Sequence, residues 1–410
     1  MTSFAKPPLP AHVPDELAFM LPLFARKVVY ENPQDVLIPA MHAELPPVSY
    51  VTNIFPGDQP GWLLKNAEDV QAMLRDPDNF TKNGMGKWAQ NIGEDWLVIP
   101  TEADPPIHTQ YRKALNGHFS PQKMFAMKEQ VRERAQSLIG AFRERGQCDF
   151  IADFSEKFPI YIVLDLLGLP QGRMTEFLKW EKELLHSNDW EVRGNAVRKV
   201  KAYLLEEIAA RREQPRDDYI TKVLDFEVDG RPWNDDEVLG HCFNLYIGGL
   251  DTVTSLLGNI FNYLASHPEK QNELRANPSL IVLAVEEFLR AFAPVTVFRI
   301  ATKEMEIHGQ KIMPGDYVAF SSPVVGRDPA FYDDPQEIRF DRKAAHMSLG
   351  SGIHKCLGMH LARLELQIAV EEFVTTLPEF RIKDGFKVPY YVGNILHVPD
   401  LHLQWDSASA

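Results

Sequence analysis

NDDEVLGHCFNLYIGGLDTVTSLLGNIFNYLAS, residues 234–266, is the stretch on which the fold turns. Asn234, Asp235 and Asp236 offer caps at one end, and His267-Pro268 offers a stop at the other. The interior is almost free of charge and long enough for about 45–50 Å of helix at 1.5 Å per residue. A helix apolar on nearly every face is buried through the centre of a protein. Its middle, Gly248-Gly249-Leu250-Asp251-Thr252, breaks the local rules: two glycines, an acid and a hydroxyl are all unfavourable in a buried helix. Such conflict inside a strong element points to function. A threonine hydroxyl in a helix often bonds back to the carbonyl four residues earlier, here Gly248. Losing that bond would open the helix into a small polar groove, as oxygen activation requires; the plainer reading is a packing kink.

Outward from this helix the chain stays mostly helical. Ser120-Pro121 caps a helical pattern that runs to Arg145, and residues 172–186 and 191–214 read as two helices around Ser187-Asn188-Asp189. Strands are few and short: 48–52 with 62–64, 304–307 with 311–313 around His308-Gly309-Gln310, then 317–320. Pro-rich residues 7–14 read as part of an extended N-terminal arm, 1–16. No repeat or Gly/Ser linker divides the chain, so the expected architecture is one mainly α domain, 1–410, with small β-sheets.

Composition excludes several classes. With 45% hydrophobic residues, 410 residues bury a large core. The net charge of −14 argues against nucleic-acid binding, which depends on basic surface. Three cysteines cannot form a disulfide framework, which suggests a reducing compartment. The apolar run 17–25 is interrupted by Pro22 and too short for a span of about 20 residues, and its flanks lack signal-peptide features. The expectation is a soluble cytoplasmic protein, without a membrane partner.

Three further groups carry chemistry. In Leu349-Gly-Ser-Gly-Ile-His-Lys-Cys-Leu-Gly358, a cysteine stands just before a strong helical pattern, 359–376. The helix N-terminus favours thiolate, and thiolate beside closely approaching glycine backbone suits an iron-porphyrin axial ligand. A lone cysteine is otherwise a small core residue. Glu287 and Arg290 sit at i, i+3 in an apolar helix, where their charges need buried partners, and Arg342 could supply one. His108 and Arg112 share a helix face; with Arg299 and His354 they form a cationic set suited to carboxylates such as haem propionates.

Taken in order, the Gly-Gly-x-Asp-Thr segment, the Glu-x-x-Arg pair and the cysteine loop resemble the cytochrome P-450 superfamily of haem-thiolate monooxygenases over essentially the whole chain. Residues 99–106, 248–253 and 358–363 are most similar to the bacterial camphor-hydroxylating subfamily. The resemblance implies haem b with Cys356 as axial ligand, propionates held by His108, Arg112, Arg299 and His354, and close backbone approach at Gly350 and Gly358. It assigns proton delivery during O2 activation to Asp251 and Thr252, and a structural role to Glu287, Arg290 and Arg342. One departure is Leu349, where the family normally has phenylalanine beside the thiolate.

The substrate pocket departs more. Trp96 stands where the camphor enzyme has a tyrosine that orients its ketone, Asn244 replaces a leucine, and Val297 removes an acid near a propionate. Thr101, Ile247, Gly248, Val295 and Ile395 complete the implied pocket. This implies an apolar, terpenoid-sized substrate other than camphor, such as a norisoprenoid ketone of the ionone type, under a lid formed by 172–214. Electrons would come from a [2Fe–2S] ferredoxin and its NAD(P)H-dependent reductase, docking on a local basic patch of Arg75, Arg112, Lys113, Lys343 and Lys355. A monomer is expected. The alternatives are a peroxide-using peroxygenase, disfavoured by Asp251-Thr252, and a non-catalytic haem ligand binder.

Overall fold

In the computed structural model, residues 9–55, 59–187, 189–343 and 345–406 are described. Their contacts divide the chain into two units. The helical unit comprises Asn83–Val282, Cys356–Phe386 and Asp400–Ala410; the sheet unit comprises Met1–Lys82, Leu283–Lys355 and Lys387–Pro399.

The helical unit is organised on Asp235–Ser266, one unbroken helix of 32 residues. Its start is a complete capping box. The Asn234 side chain accepts from the Glu237 N–H, and the Glu237 carboxylate accepts from the Asn234 N–H. The same carboxylate takes hydrogen bonds from Tyr111 (2.7 Å) and Arg231 (2.7 and 2.9 Å), so the cap is anchored in tertiary structure. The helix ends where Pro268, lacking an N–H, begins the next one. Its second half is buried among aromatic rings, with Phe261 centred 4.4 Å from Phe150 and 4.5 Å from Phe373. Two glycines admit close neighbours. A Cβ at Gly240 would lie 1.9 Å from the Leu97 carbonyl oxygen, and one at Gly249 would lie 2.7 Å from Val163 Cγ2. Both neighbours could approach only because those side chains are absent.

Around this axis stand Ile107–Asn116, Lys157–Leu167, Met174–Leu185, Trp190–Glu213 and Met359–Thr376, with a three-stranded sheet of Gln147–Asp149, His402–Trp405 and Phe380–Ile382. The helical pattern after Pro121 forms two helices, Pro121–Phe125 and Lys128–Gly140, rather than one continuing to Arg145. Asn188, in the link between two of the expected helices, lies outside the described residues.

The sheet unit is more substantial than the sequence suggests. Six strands pair in the order Ala18–Phe19, Val48–Val51, Gly61–Leu64, Tyr317–Ser321, Thr296–Ala301, Phe80–Thr81. Pairing is parallel at Ala18–Phe19/Val48–Val51 and at Tyr317–Ser321/Gly61–Leu64, and antiparallel elsewhere. The pairing of 48–52 with 62–64 and the strand at 317–320 are as expected, while the joins between strands far apart in the chain escape a local reading. The hairpin Met305–Ile307/Gln310–Ile312 turns on His308 and Gly309, both at positive φ (50° and 76°). The N-terminal segment corrects the expectation of an extended arm. Residues 1–8 lie outside the described residues, and the rest turns at once, with Val13 N–H donating to Pro10 C=O (2.9 Å) and Val13 packed into the core around Trp62 and Val318.

Candidate active site

The helical unit carries Cys356, half-buried just before Met359–Thr376. Burial pushes its thiol up; the Gly358 N–H, Arg112 and Arg363 act the other way by favouring thiolate. Arg112 is half-buried, its own pKa lowered by desolvation and partly restored by Cys356. It shares Ile107–Asn116 with the fully buried His108, so the two expected cofactor contacts do lie on one face. Arg363, which stabilises the thiolate from the helix after the cysteine, had not been singled out from sequence.

The second part of the site is one face of the central helix. Asn244, Gly248 and Thr252 follow at successive turns, with Ile247 beside them, and Gly248 is exposed although the helix is otherwise largely buried. A Cβ at Gly248 would meet nothing within 4 Å, and the same holds at Gly358. Adjacent glycines therefore differ: Gly249 lets Val163 approach, while Gly248 leaves space. The Thr252 hydroxyl donates to the Gly248 carbonyl (2.9 Å), so the expected back-bond is made and the helix does not open.

Beside that face, the Thr101 hydroxyl donates to Asn244 Oδ1 (2.8 Å), which brings two expected pocket residues together. The Gly240 contact sets the approach of residues 97–101 to the helix, with Ile99 N–H donating to Gly240 C=O (3.3 Å). Trp96 is buried edge-on against Phe243, with ring centroids 5.1 Å apart. Its indole N–H donates to Glu94 (2.7 Å). Glu94 is itself held by Lys201. Nothing in the local sequence around Trp96 announced that partner.

Asp251 points to another side of the helix. It accepts from Ser255 (3.1 Å) and lies 3.2 Å from His186 Nε2, which is also 3.7 Å from Glu181. Burial alone would lower the His186 pKa, but Asp251 and Glu181 outweigh it and hold it up at about 10. Burial pushes Glu181 up, and His186 opposes that shift. The group joins the end of Met174–Leu185 to the central helix. A local window of sequence does not join it, because Asp251 is far from His186 in the chain.

In the sheet unit, Arg290 makes a two-pronged ion pair with Glu287 (2.7 and 2.8 Å), and Arg342 reaches the same carboxylate at 3.0 Å. The Glu287 and Arg290 side chains are wholly buried, and Arg290 also donates to the carbonyls of Gly326, Pro335 and Glu337. This is the buried triad anticipated. Val295 bridges Ile395, and Val297 lies two residues on along the same strand face, so this aliphatic group is also assembled. Arg299 is buried on that strand with Nη1 donating to Phe298 C=O (2.8 Å), while His354 ends the short helix Gly352–His354. Gly350 and Gly352 have positive φ (76° and 67°), and a Cβ at Gly352 would lie 2.2 Å from the Leu74 carbonyl oxygen. Of the expected basic patch, Arg75, Lys343 and Lys355 are exposed in this unit; Lys113 is exposed and Arg112 half-buried in the helical unit. Among the described residues, no helix is long and apolar enough to cross a membrane.

A haem fits the donors present within the helical unit. They offer a cysteine whose thiolate is favoured by two guanidinium groups, and a bare, open stretch of helix at Gly248 against which a flat group can lie. The family profile described as Cytochrome P450 matches residues 160–282 and 279–388. "Probable cytochrome P450 127A1" of Sinorhizobium fredii (strain NBRC 101917 / NGR234) is 34% identical over 403 residues, 97% of each chain. "Steroid C26-monooxygenase" of Mycolicibacterium smegmatis (strain ATCC 700084 / mc(2)155) is 29% identical, covering 82% of this chain and 86% of its own. The crystal structure of CYP101J2 superposes with a TM-score of 0.86 at 29% identity, over 98% of this chain and 100% of that one. CYP101C1 gives 0.84 at 30%, over 97% and 100%. Likeness that spans nearly the full length of both partners leaves one conclusion: the chain belongs to the cytochrome P450 family.

Proposed function

We propose that this haem-dependent monooxygenase hydroxylates an unactivated C–H bond of a small apolar terpenoid or norisoprenoid, using O2 and electrons from a ferredoxin, and that residues 1–410 act as a single catalytic domain. The observation that carries the reading is the open face of the central helix. It combines a bare glycine and a rotatable threonine hydroxyl, with a buried acid one residue earlier on another side of the helix. Bound haem supplies dioxygen activation, with the Cys356 thiolate donating electron density to iron. His108 and Arg112 are suited to its propionates, and Gly350 and Gly358 to its close approach. The same roles for Arg299 and His354 rest on the family resemblance.

The Thr252 hydroxyl, which now donates to Gly248 C=O, can rotate about χ1 and offer its proton to the open face. Asp251 lies on the protein side of the same turn and replenishes that proton. Thr101, Asn244, Ile247 and Gly248 of the helical unit contact substrate; the same role for Val295, Val297 and Ile395 rests on the family resemblance. Trp96 shapes the wall rather than donating to the ligand. Residues 172–214 form the lid; the assignment of Arg75, Arg112, Lys113, Lys343 and Lys355 to ferredoxin docking rests on the family resemblance and on the exposure of the four that are exposed, Arg112 being half-buried. Two CYP101-named neighbours are consistent with a camphor-hydroxylase-like pocket.

The test is an optical titration of the ferric haem protein with camphor and with β-ionone. A ligand that displaces iron-bound water moves the Soret band to shorter wavelength. A larger shift with ionone is expected, and product formation should require ferredoxin and its reductase. A larger shift with camphor would overturn the substrate assignment, and turnover with hydrogen peroxide alone matching the ferredoxin-driven rate would overturn the electron route.

A further inference from the structure

Polar groups on the open helix face are almost all spoken for. Thr252 Oγ1 donates to Gly248 C=O, Thr101 Oγ1 donates to Asn244 Oδ1, and the Trp96 indole N–H donates to Glu94. What remains is the Asn244 amide nitrogen. Thr101 takes its carbonyl end as acceptor, which turns the NH2 end away from residue 101; that nitrogen has no acceptor among the described residues. Asn244 is only half-buried, on the side of the helix that exposes Gly248. An amide donor in an apolar wall costs free energy unless something accepts from it.

We infer that Asn244 is the specificity-determining residue of this pocket, donating an amide N–H to a carbonyl oxygen on the substrate, with Thr101 as the positioning residue that fixes the amide orientation. The inference rests on the monooxygenase reading above and names the functional group its substrate carries. A carbonyl accepts from N–H and offers no proton of its own, so it suits the amide end that the Thr101 contact leaves unengaged. The arrangement also sets a distance. Gly248 lies one turn beyond Asn244 and Thr252 two, about 6 and 12 Å along the axis. A ketone held at Asn244 therefore presents carbons remote from its oxygen, not those next to it, to the Gly248–Thr252 stretch.

The experiment uses ferric haem protein and two matched pairs: β-ionone with the hydrocarbon of the same skeleton lacking the oxygen, and camphor with camphane. Spin-state titration gives a dissociation constant for each. The wild type should bind the better-fitting ketone about three- to tenfold more tightly than its hydrocarbon, as one hydrogen bond predicts. Asn244→Leu should abolish that preference, so that ketone and hydrocarbon of each pair bind with similar constants. Thr101→Val should reduce the preference, because the amide is then free to turn. In turnover, Asn244→Leu should spread oxidation over several positions. A ketone preference undiminished in Asn244→Leu, or no preference in the wild type, overturns the inference and leaves the monooxygenase reading intact. No spin shift with any of the four compounds overturns the proposed substrate class, and this inference with it.

Discussion

Thr252 combines a weak structural role with a strong chemical one. Its side-chain bond to Gly248 C=O is of a kind that adds little to helix stability and often bends the helix. Thr252→Ala should therefore leave the thermal midpoint within about a degree while uncoupling the reaction, with NAD(P)H consumed in the reconstituted system and little hydroxylated product formed. Unchanged coupling would remove Thr252 from proton delivery. At this scale the sequence was informative where a residue violates its own local context. Cys356 before a helix, and Asp251 and Thr252 inside one, are visible without any partner. Glu94, Glu181 and His186 obey local rules where they stand. Their importance depends on Lys201 for Glu94 and on Asp251 for Glu181 and His186, partners far away in the chain that no local window contains. Trp96 shows the limit from the other side: its position was legible, but the direction of its N–H depended on Glu94.

The central helix was the most legible element because capping residues, apolar length and a proline stop all agreed. Its glycines were less legible, since a sequence cannot say which glycine touches something. The structure separates them. Gly240→Ala would drive a methyl into the Leu97 carbonyl, a backbone atom that cannot move without dragging residues 97–101 with it. Gly248→Ala enters open space and gains helix propensity of about 0.5–1 kcal/mol. Thermal denaturation should therefore show Gly240→Ala melting several degrees lower and Gly248→Ala melting at or above the wild type. Gly248→Ala should also weaken the ionone spin shift, because its methyl occupies the face that binds ligand. Equal melting of the two variants would mean that the space at Gly248 is filled in solution. The six-stranded sheet was the least legible element, since its strands are short and pair across long stretches of chain.

For the whole molecule, the sequence conveyed class and family through an ordered set of motifs, while the pairings that complete the site came from the fold. The half-buried His186 titrates far from its ordinary range, so the balance of charge changes with pH differently in the folded and unfolded chain. His186 holds its proton up to about 10, against roughly 6.5 in an unfolded chain. Between those values the native state binds a proton that the unfolded state has released. The contribution of His186 to stability is therefore complete below about pH 6.5 and is lost as pH rises toward 10. Asp251 and Glu181 face it directly; Glu156, paired with Lys182 at 2.7 Å, stands behind Glu181. Urea midpoints should fall from pH 6.5 to pH 10 in the wild type, and His186→Gln should flatten that slope. Parallel slopes in the two proteins would show that the imidazole is not the group responsible.

The carboxylate at the start of the central helix has a mechanical consequence. Helices ordinarily loosen at their first turn, and that looseness works as a damper between an element and whatever feeds into it. Glu237 removes the damper by gathering the Asn234 N–H, Tyr111 and both prongs of Arg231 at a single point. Tyr111 belongs to the short helix that also carries His108 and Arg112, so that helix and the entry of the long one are pinned together. A rod fixed at its end bends along its length instead of fraying. Displacement at Asn244, ten residues in, must then be taken up further along, where Gly248 offers the backbone least resistance.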